Sequence, residues 1–167
     1  MKLLLNGKEV GSQDLNESSA LKAEFTVPYG SGELKAITYE GSSETGSITF
    51  TTAGKAHKLV LTPDRHKLDT GGDDVGYVML NVVDEAGKPV PDAVVPVTFS
   101  IDGAAEIIAV GNANPKDVAR FQQPHRDTFR GACRLVIQPR GESGKIMIYA
   151  ESPRVFSATA ELEAVSS

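Results

Sequence analysis

Paired carboxylates, clustered histidines and an activated serine would mark a catalytic centre, and spacing decides whether each is present. Two carboxylates that cleave a bond by acid and base work must face each other across roughly 5–10 Å in a cleft. Glu161 and Glu163 flank Leu162 and so share the outward, solvated side of one strand. His57, His66 and His125 are too scattered for an HxxxH pattern, and the single cysteine, Cys133, removes the commonest thiolate zinc sites. Asp69, Asp73 and Asp74 lack the D-x-D-x-D spacing and closing glutamate of a calcium loop, and read as a glycine-rich turn with solvated carboxylates. Gly30-Ser31-Gly32 has neither the G-x-S-x-G form of a nucleophile elbow nor a following helix to cradle phosphate, and reads as a hairpin turn. Asn16-Glu17-Ser18 matches a glycosylation acceptor, a pattern frequent by chance. The expectation is no catalytic, cofactor-binding or metal-ligating residue, and no cofactor.

One stretch does concentrate unusual side chains. From Asn112 to Arg130 the chain runs roughly 20 residues without alternation between two convincing strands, and loops that long are generally functional or docking elements. Lys116, Arg120, Arg126 and Arg130 outnumber Asp117 and Asp127, leaving a local charge of about +2, with His125, Phe121 and Phe129 interleaved. Basic residues among aromatics can bind single-stranded nucleic acid. Against that, 17 basic residues face 22 acidic ones for a formal charge of −5, the wrong sign for nucleic acid or an anionic membrane. The loop is therefore read as a domain-docking element. A sugar platform has little support, because there is no Trp, and Tyr29, Tyr39, Tyr77 and Tyr149 sit where sheet residues belong.

Around this loop the chain is patterned for strands. Apolar residues recur at every second position in Leu21-Ala23-Phe25-Val27, Leu59-Leu61, Val78-Leu80-Val82, Val97-Phe99-Ile101, Cys133-Leu135-Ile137, Ile146-Ile148-Ala150 and Phe156-Ala158-Ala160-Leu162. Turn chemistry separates them: Asn6-Gly7, Tyr29 to Gly32, Thr70 to Asp74, Glu85 to Pro89, Asp102-Gly103 and Arg140 to Gly144. Short strands at this spacing indicate an all-β chain of immunoglobulin-like antiparallel sandwiches, and 167 residues are too few for a (β/α)₈ barrel. Small residues around Gly54 divide the chain into units 1–54 and 55–167, the first marginal for independent folding and short at its front. Cys133 shares parity with Leu135 and Ile137 and is expected to be a buried structural thiol. Met1 to Gly7 lacks the apolar run of an export signal, and no segment has the roughly 20 apolar residues that span a bilayer.

Six stretches then show a resemblance. Leu3-Leu4-Leu5-Asn6-Gly7-Lys8-Glu9-Val10-Gly11, Phe25 through Tyr39, and Thr51-Thr52-Ala53-Gly54 resemble the carboxy-terminal accessory modules of bacterial family 2 glycoside hydrolases, chiefly the β-galactosidases. Asp84 to Ala93, Val97 to Ile101 and Val110-Gly111-Asn112-Ala113-Asn114-Pro115 are similar to the last immunoglobulin-like domain of those enzymes. The resemblance implies a piece without the catalytic barrel that carries the family's glutamates, so no catalytic residue transfers. It implies further strands before the Leu-Asn-Gly-Lys hairpin, hence a first unit truncated at its N-terminus whose open sheet edge seeks a partner, by self-association if need be. Its partners would be the other domains of a parent enzyme, periplasmic or secreted, that hydrolyses terminal β-glycosidic bonds. Two other functions compete: a spacer from a bacterial surface adhesin, and a carbohydrate-binding module.

Overall fold

The computed structural model describes residues 1–71 and 73–166. The chain divides into two compact units, Met1–Thr52 and Ala53–Ser167. Gly54 falls in the second unit, where its N–H donates to Asp84 Oδ2 at 2.7 Å. Gly72 of the predicted Thr70–Asp74 turn and the side chain of Ser18 lie outside the described residues.

In the first unit β1 (Lys2–Leu5), β2 (Lys8–Ser12), β3 (Glu33–Glu40) and β4 (Ser43–Thr51) form one antiparallel sheet in the order β2, β1, β3, β4. The Asn6-Gly7 pair turns β1 into β2, and the Asn6 amide then reaches across: Oδ1 accepts from Glu33 N at 2.8 Å and Nδ2 donates to the Ser31 carbonyl. Gly30-Ser31-Gly32 is thus the lead-in to β3, held by Asn6, and not a hairpin turn. The predicted strand from Leu21 to Val27 is also absent. A short 3-10 turn, Glu17–Ser19, capped by Asn16, precedes it, and after Ala20 and Leu21, both at positive φ, the chain runs outside any ladder. The Gln13 side-chain amide occupies the backbone position where a neighbouring strand would bond, donating to Glu24 O and accepting from Glu24 N. Phe25 packs on Gly11, where an added Cβ would come within 2.5 Å of its ring. Among the described residues β4 pairs with β3 alone and is exposed along its whole length, Ile48 and Phe50 included.

The second unit is a two-sheet sandwich. One sheet contains β5 (Lys58–Pro63), β7 (Gly76–Val83), β11 (Ala132–Pro139) and β9 (Ala105–Gly111), in that order. The other contains β10 (His125–Asp127), β8 (Pro96–Gly103), β12 (Gly144–Glu151), β13 (Ala158–Val165) and β6 (Lys67–Asp69). All pairings are antiparallel except β13 with β6, so the leading strand contributes β5 to one sheet and β6 to the other. Alternation places Val78, Leu80, Val82, Cys133, Leu135, Ile137, Ile146, Ile148 and Ala150 between the layers, each at most 2% exposed. Phe156 breaks the expected series: it is 68% exposed, joins Lys58 through a lone parallel bridge and meets His57 edge-on at 5.0 Å. Crossing from β8 in one sheet to β9 in the other needs Gly103, whose φ is +97° and whose missing Cβ would stand 2.0 Å from the Lys145 carbonyl.

Asp84 ends β7 in a buried turn. Its carboxylate accepts from Gly54 N and Lys88 N, which hold it below the usual carboxylate range. Cys133 faces the core, and burial pushes its thiol up to about 12. A thiol reagent at about pH 8 should therefore leave the folded chain untouched and titrate one equivalent in denaturant; stoichiometric labelling of the native chain would contradict this packing.

Candidate functional site

The segment from Asn112 to Arg130 is built by local hydrogen bonds. Asn112 Oδ1 accepts from Asn114 N, Asn114 Oδ1 from Lys116 N, and Asp117 Oδ1 from Ala119 N, three successive side-chain turns that fold the chain without a ladder. The chain then returns to the sandwich: the Phe121 carbonyl accepts from Val110 N and the Pro124 carbonyl from Phe99 N, both at 2.7 Å. His125–Asp127 follows as β10, an edge strand on β8. A three-residue strand with an arginine at its inward position has no apolar alternation, so the sequence reads as unbroken loop there. Thr128 locks the exit, its buried hydroxyl donating to Ala93 O and accepting from Val95 N.

Arg126 turns inward. Its side chain is 3% exposed, with Nη1 3.0 Å from Asp117 Oδ2 and donating also to Ala119 O. Nη2 donates to Val110 O at 2.7 Å and Arg120 O at 2.8 Å, while buried Nε has no partner. The guanidinium carbon sits 5.5 Å from the Phe121 ring centroid. Asp117 completes the clamp. The Ala119 N–H, then Arg126, hold its carboxyl below the ordinary value of 3.8, and Asn112 Nδ2 adds a third donor.

The seven residues expected to dock thus part company. Lys116, Arg120, His125 and Arg130 are exposed, Phe121 is 56% exposed, Phe129 is half-buried, and Arg126 is interior, bonded to the Arg120 carbonyl and set beside the Phe121 ring. At the end of the segment Arg130 and Gly131 both take positive φ, +52° and +71°, in a tight turn between Phe129 and Ala132, which projects Arg130 outward. Two recesses border the segment. A polar one of about 680 Å³ includes Asn114, Lys116, Gln123, His125 and Asp127. An apolar one of about 400 Å³ is lined by Met79, Ala109, Gly111, Phe121, Phe129 and Val136, among others. Sequence reading missed the strand residues of the second. Their only signal was apolar character at outward parity in Met79, Ala109 and Val136.

The other residues weighed for chemistry are engaged elsewhere. Glu161 pairs with Lys145 at 2.8 Å and Glu163 with Lys67 at 3.7 Å on an open sheet face. Asp74 accepts from Arg65 at 2.6 Å and from Asp69 N, and Asp69 Oδ1 accepts from Gly71 N. Among the described residues no three or more His, Cys, Asp or Glu side chains gather as metal ligands, and no helix is long and apolar enough to cross a membrane. Tyr29 is 86% exposed in the first unit, while Tyr77 lies under the Arg134 guanidinium at 5.9 Å.

Comparison with known proteins bears on this architecture. The family model of the glycoside hydrolase family 2 C-terminal domain 5 matches residues 59–161, and a domain of unknown function, DUF4982, matches residues 1–46. A β-galactosidase of Bacteroides ovatus is 34% identical over 98% of this chain, which spans 19% of that protein. A β-glucuronidase of Formosa agariphila is 29% identical over 92% of the chain and 16% of its own length. The crystal structure of a glycosyl hydrolase family 2 member from Bacteroides cellulosilyticus superposes with a TM-score of 0.91 at 34% identity, covering 99% of this chain and 21% of that one. The chain therefore spans about a fifth of the length of the relatives it matches.

Replacing Arg126 by Met strands the carbonyls of Val110, Ala119 and Arg120, and should cost about 3 kcal/mol or more of unfolding free energy; a denaturant midpoint equal to the parent's would show that the clamp carries no stability. Because the Asp117 carboxyl is held below its unfolded value, its contribution is complete above that value and fades as pH falls through the lowered one. Parent and Asp117→Asn melting temperatures should accordingly differ at neutral pH and converge on acidification below about pH 4. A gap independent of pH would contradict this.

Proposed function

The chain belongs to glycoside hydrolase family 2, and from that premise we propose that it is a non-catalytic accessory region that packs on and shapes the catalytic region of a longer enzyme, β-galactosidase-like, hydrolysing terminal β-glycosidic bonds. One observation carries the reading: the chain aligns with a β-galactosidase over 98% of its own length yet spans 19% of that protein. The architecture fits. A packed sandwich core is a rigid support, and its loops are free to meet a neighbour. The docking element is the Asn112–Arg130 segment, with Lys116, Arg120, Phe121, His125, Phe129 and Arg130 facing outward and Arg126 holding them in place.

The polar recess supports a second reading, carbohydrate binding. Lys116, Gln123, His125 and Asp127 line it with no ion pair or side-chain hydrogen bond among the described residues, the kinds of groups that engage sugar hydroxyls. Calorimetric titration of the 167-residue chain with galactosides would decide it, and heats indistinguishable from dilution would remove it.

The accessory reading predicts two results together. The chain alone should not turn over p-nitrophenyl β-galactoside or β-glucuronide, and deleting it from the full enzyme should lower the melting temperature by several degrees and reduce kcat/KM. Turnover by the isolated chain, or a full enzyme indifferent to the deletion, would overturn the proposal.

A further inference from the structure

The outer face of the β5, β7, β11, β9 sheet changes character where it meets the Asn112–Arg130 segment. Cross-strand pairing places Val136 beside Ala109 and Arg134 beside both Met79 and Gly111, all on the side away from the core. A solvated sheet face alternates polar residues here. This one presents small and apolar ones, and Phe121 and Phe129 join them to make the open recess of about 400 Å³.

Two features make the recess a built one. Gly111 leaves the room that the Phe121 ring takes: an added Cβ would stand 3.1 Å from its Cε1. The Phe121 backbone is pinned by Val110 N, and Arg126, held through both terminal nitrogens beneath the segment, lies against the ring. A phenylalanine that rests on Gly111 at one edge is thereby left 56% exposed, beside a buried guanidinium. An apolar side chain held open to water stabilises nothing by itself, and gains its burial when something covers it.

Two cations say what covers it: Arg134, which lines the recess, and Arg130, over the lining residue Phe129. The Arg134 guanidinium lies over Tyr77 and that of Arg130 over Phe129 at 5.6 Å, so both are oriented by a ring and keep their N–H edges free. Neither has a carboxylate or hydrogen-bond partner among the described residues, in a chain whose net charge is −5. A second copy docking face to face would set these cations against each other, and nucleic acid would find an apolar floor.

We propose that this recess is an intramolecular docking seat: it takes one aliphatic or aromatic side chain, flanked by Asp or Glu, from another domain of the same polypeptide. The inference rests on the accessory reading above and names the surface and the partner's chemistry. Relatives that extend through roughly five times this chain's length have the remaining sequence from which such a segment would come.

Hydroxyl-radical footprinting tests it, with Met79 as the reporter inside the recess and Met147, on β12 of the opposite sheet, as the internal standard. Oxidation of Met79 relative to Met147 should fall severalfold in the full enzyme compared with the 167-residue chain. The pair Arg130→Glu and Arg134→Glu should restore Met79 oxidation in the full enzyme to the isolated-chain level, while Arg130→Lys with Arg134→Lys should retain much of the protection. Melting of the isolated chain carrying the same substitutions checks that its fold is intact. Equal Met79 oxidation in both contexts, or full protection in the charge-reversed enzyme, would overturn the docking seat. Protection that instead grows with concentration of the isolated chain would replace it by a contact between copies. If deletion of the chain destabilises the enzyme while Met79 stays open, the accessory reading stands and only this surface falls. If deletion has no effect, the accessory reading falls first.

Discussion

Successive residues of an extended strand point to opposite sides, so a strand can offer the core only half of its side chains. Two sheets stacked about 10 Å apart must fill the space between them from those halves alone. In the second unit this constraint is met mostly by Val, Leu and Ile on β7, β8, β11 and β12, with Phe99 and Ala150 among them. Cys133 belongs to that set, and its raised thiol pKa is a consequence of the same burial. The buried turn at Asp84 is the polar counterpart: a carboxylate removed from water keeps its charge because two backbone N–H groups point at it.

A segment that forms almost no ladder cannot share in that arrangement and needs its own source of order. Between β9 and β11 the source is a guanidinium. Arg126 takes carbonyls from Val110, Ala119 and Arg120, groups that no strand partner satisfies, and Asp117 balances its charge. Planar, fixed donors suit this better than an ammonium would, because several acceptors must be met at once from one position. The energetic return is more in definition than in net stability, since a buried ion pair offsets much of its own desolvation. What it defines is the position of Phe121 and the shape of the recess beside it.

The first unit shows a different economy. It has one sheet, beside which the segment carrying Phe25 joins no ladder among the described residues. Gln13 supplies a side-chain amide in place of a ladder, and Phe25 lies on the bare backbone of Gly11. The long, exposed β4 carries a single charged residue, Glu44, and few of the features that usually protect an edge. A sheet of this kind is suited to life beside other protein surface, in keeping with membership of a family whose proteins are several times longer.

The sequence by itself determined the fold class, the inward set of nearly every sandwich strand and the buried state of Cys133, because a period of two and turn residues are local properties, and the family through the resemblance of several ordered stretches. It also drew attention to Asn112–Arg130. What it could not determine is which side chains there face outward. Arg126 has the same local signature as Arg120 and Arg130, and only the convergence of Val110, Ala119, Arg120 and Asp117 around it, residues up to 16 positions away, makes it an interior group. The Leu21–Val27 alternation misled for the matching reason: a pattern specifies a face, while a strand also requires a free edge to pair with, and there a glutamine side chain had taken that place. The recess is tertiary in the same sense, since Met79, Ala109 and Val136 become neighbours only through the register of three strands, and Phe121 joins them only because a buried charge holds it there.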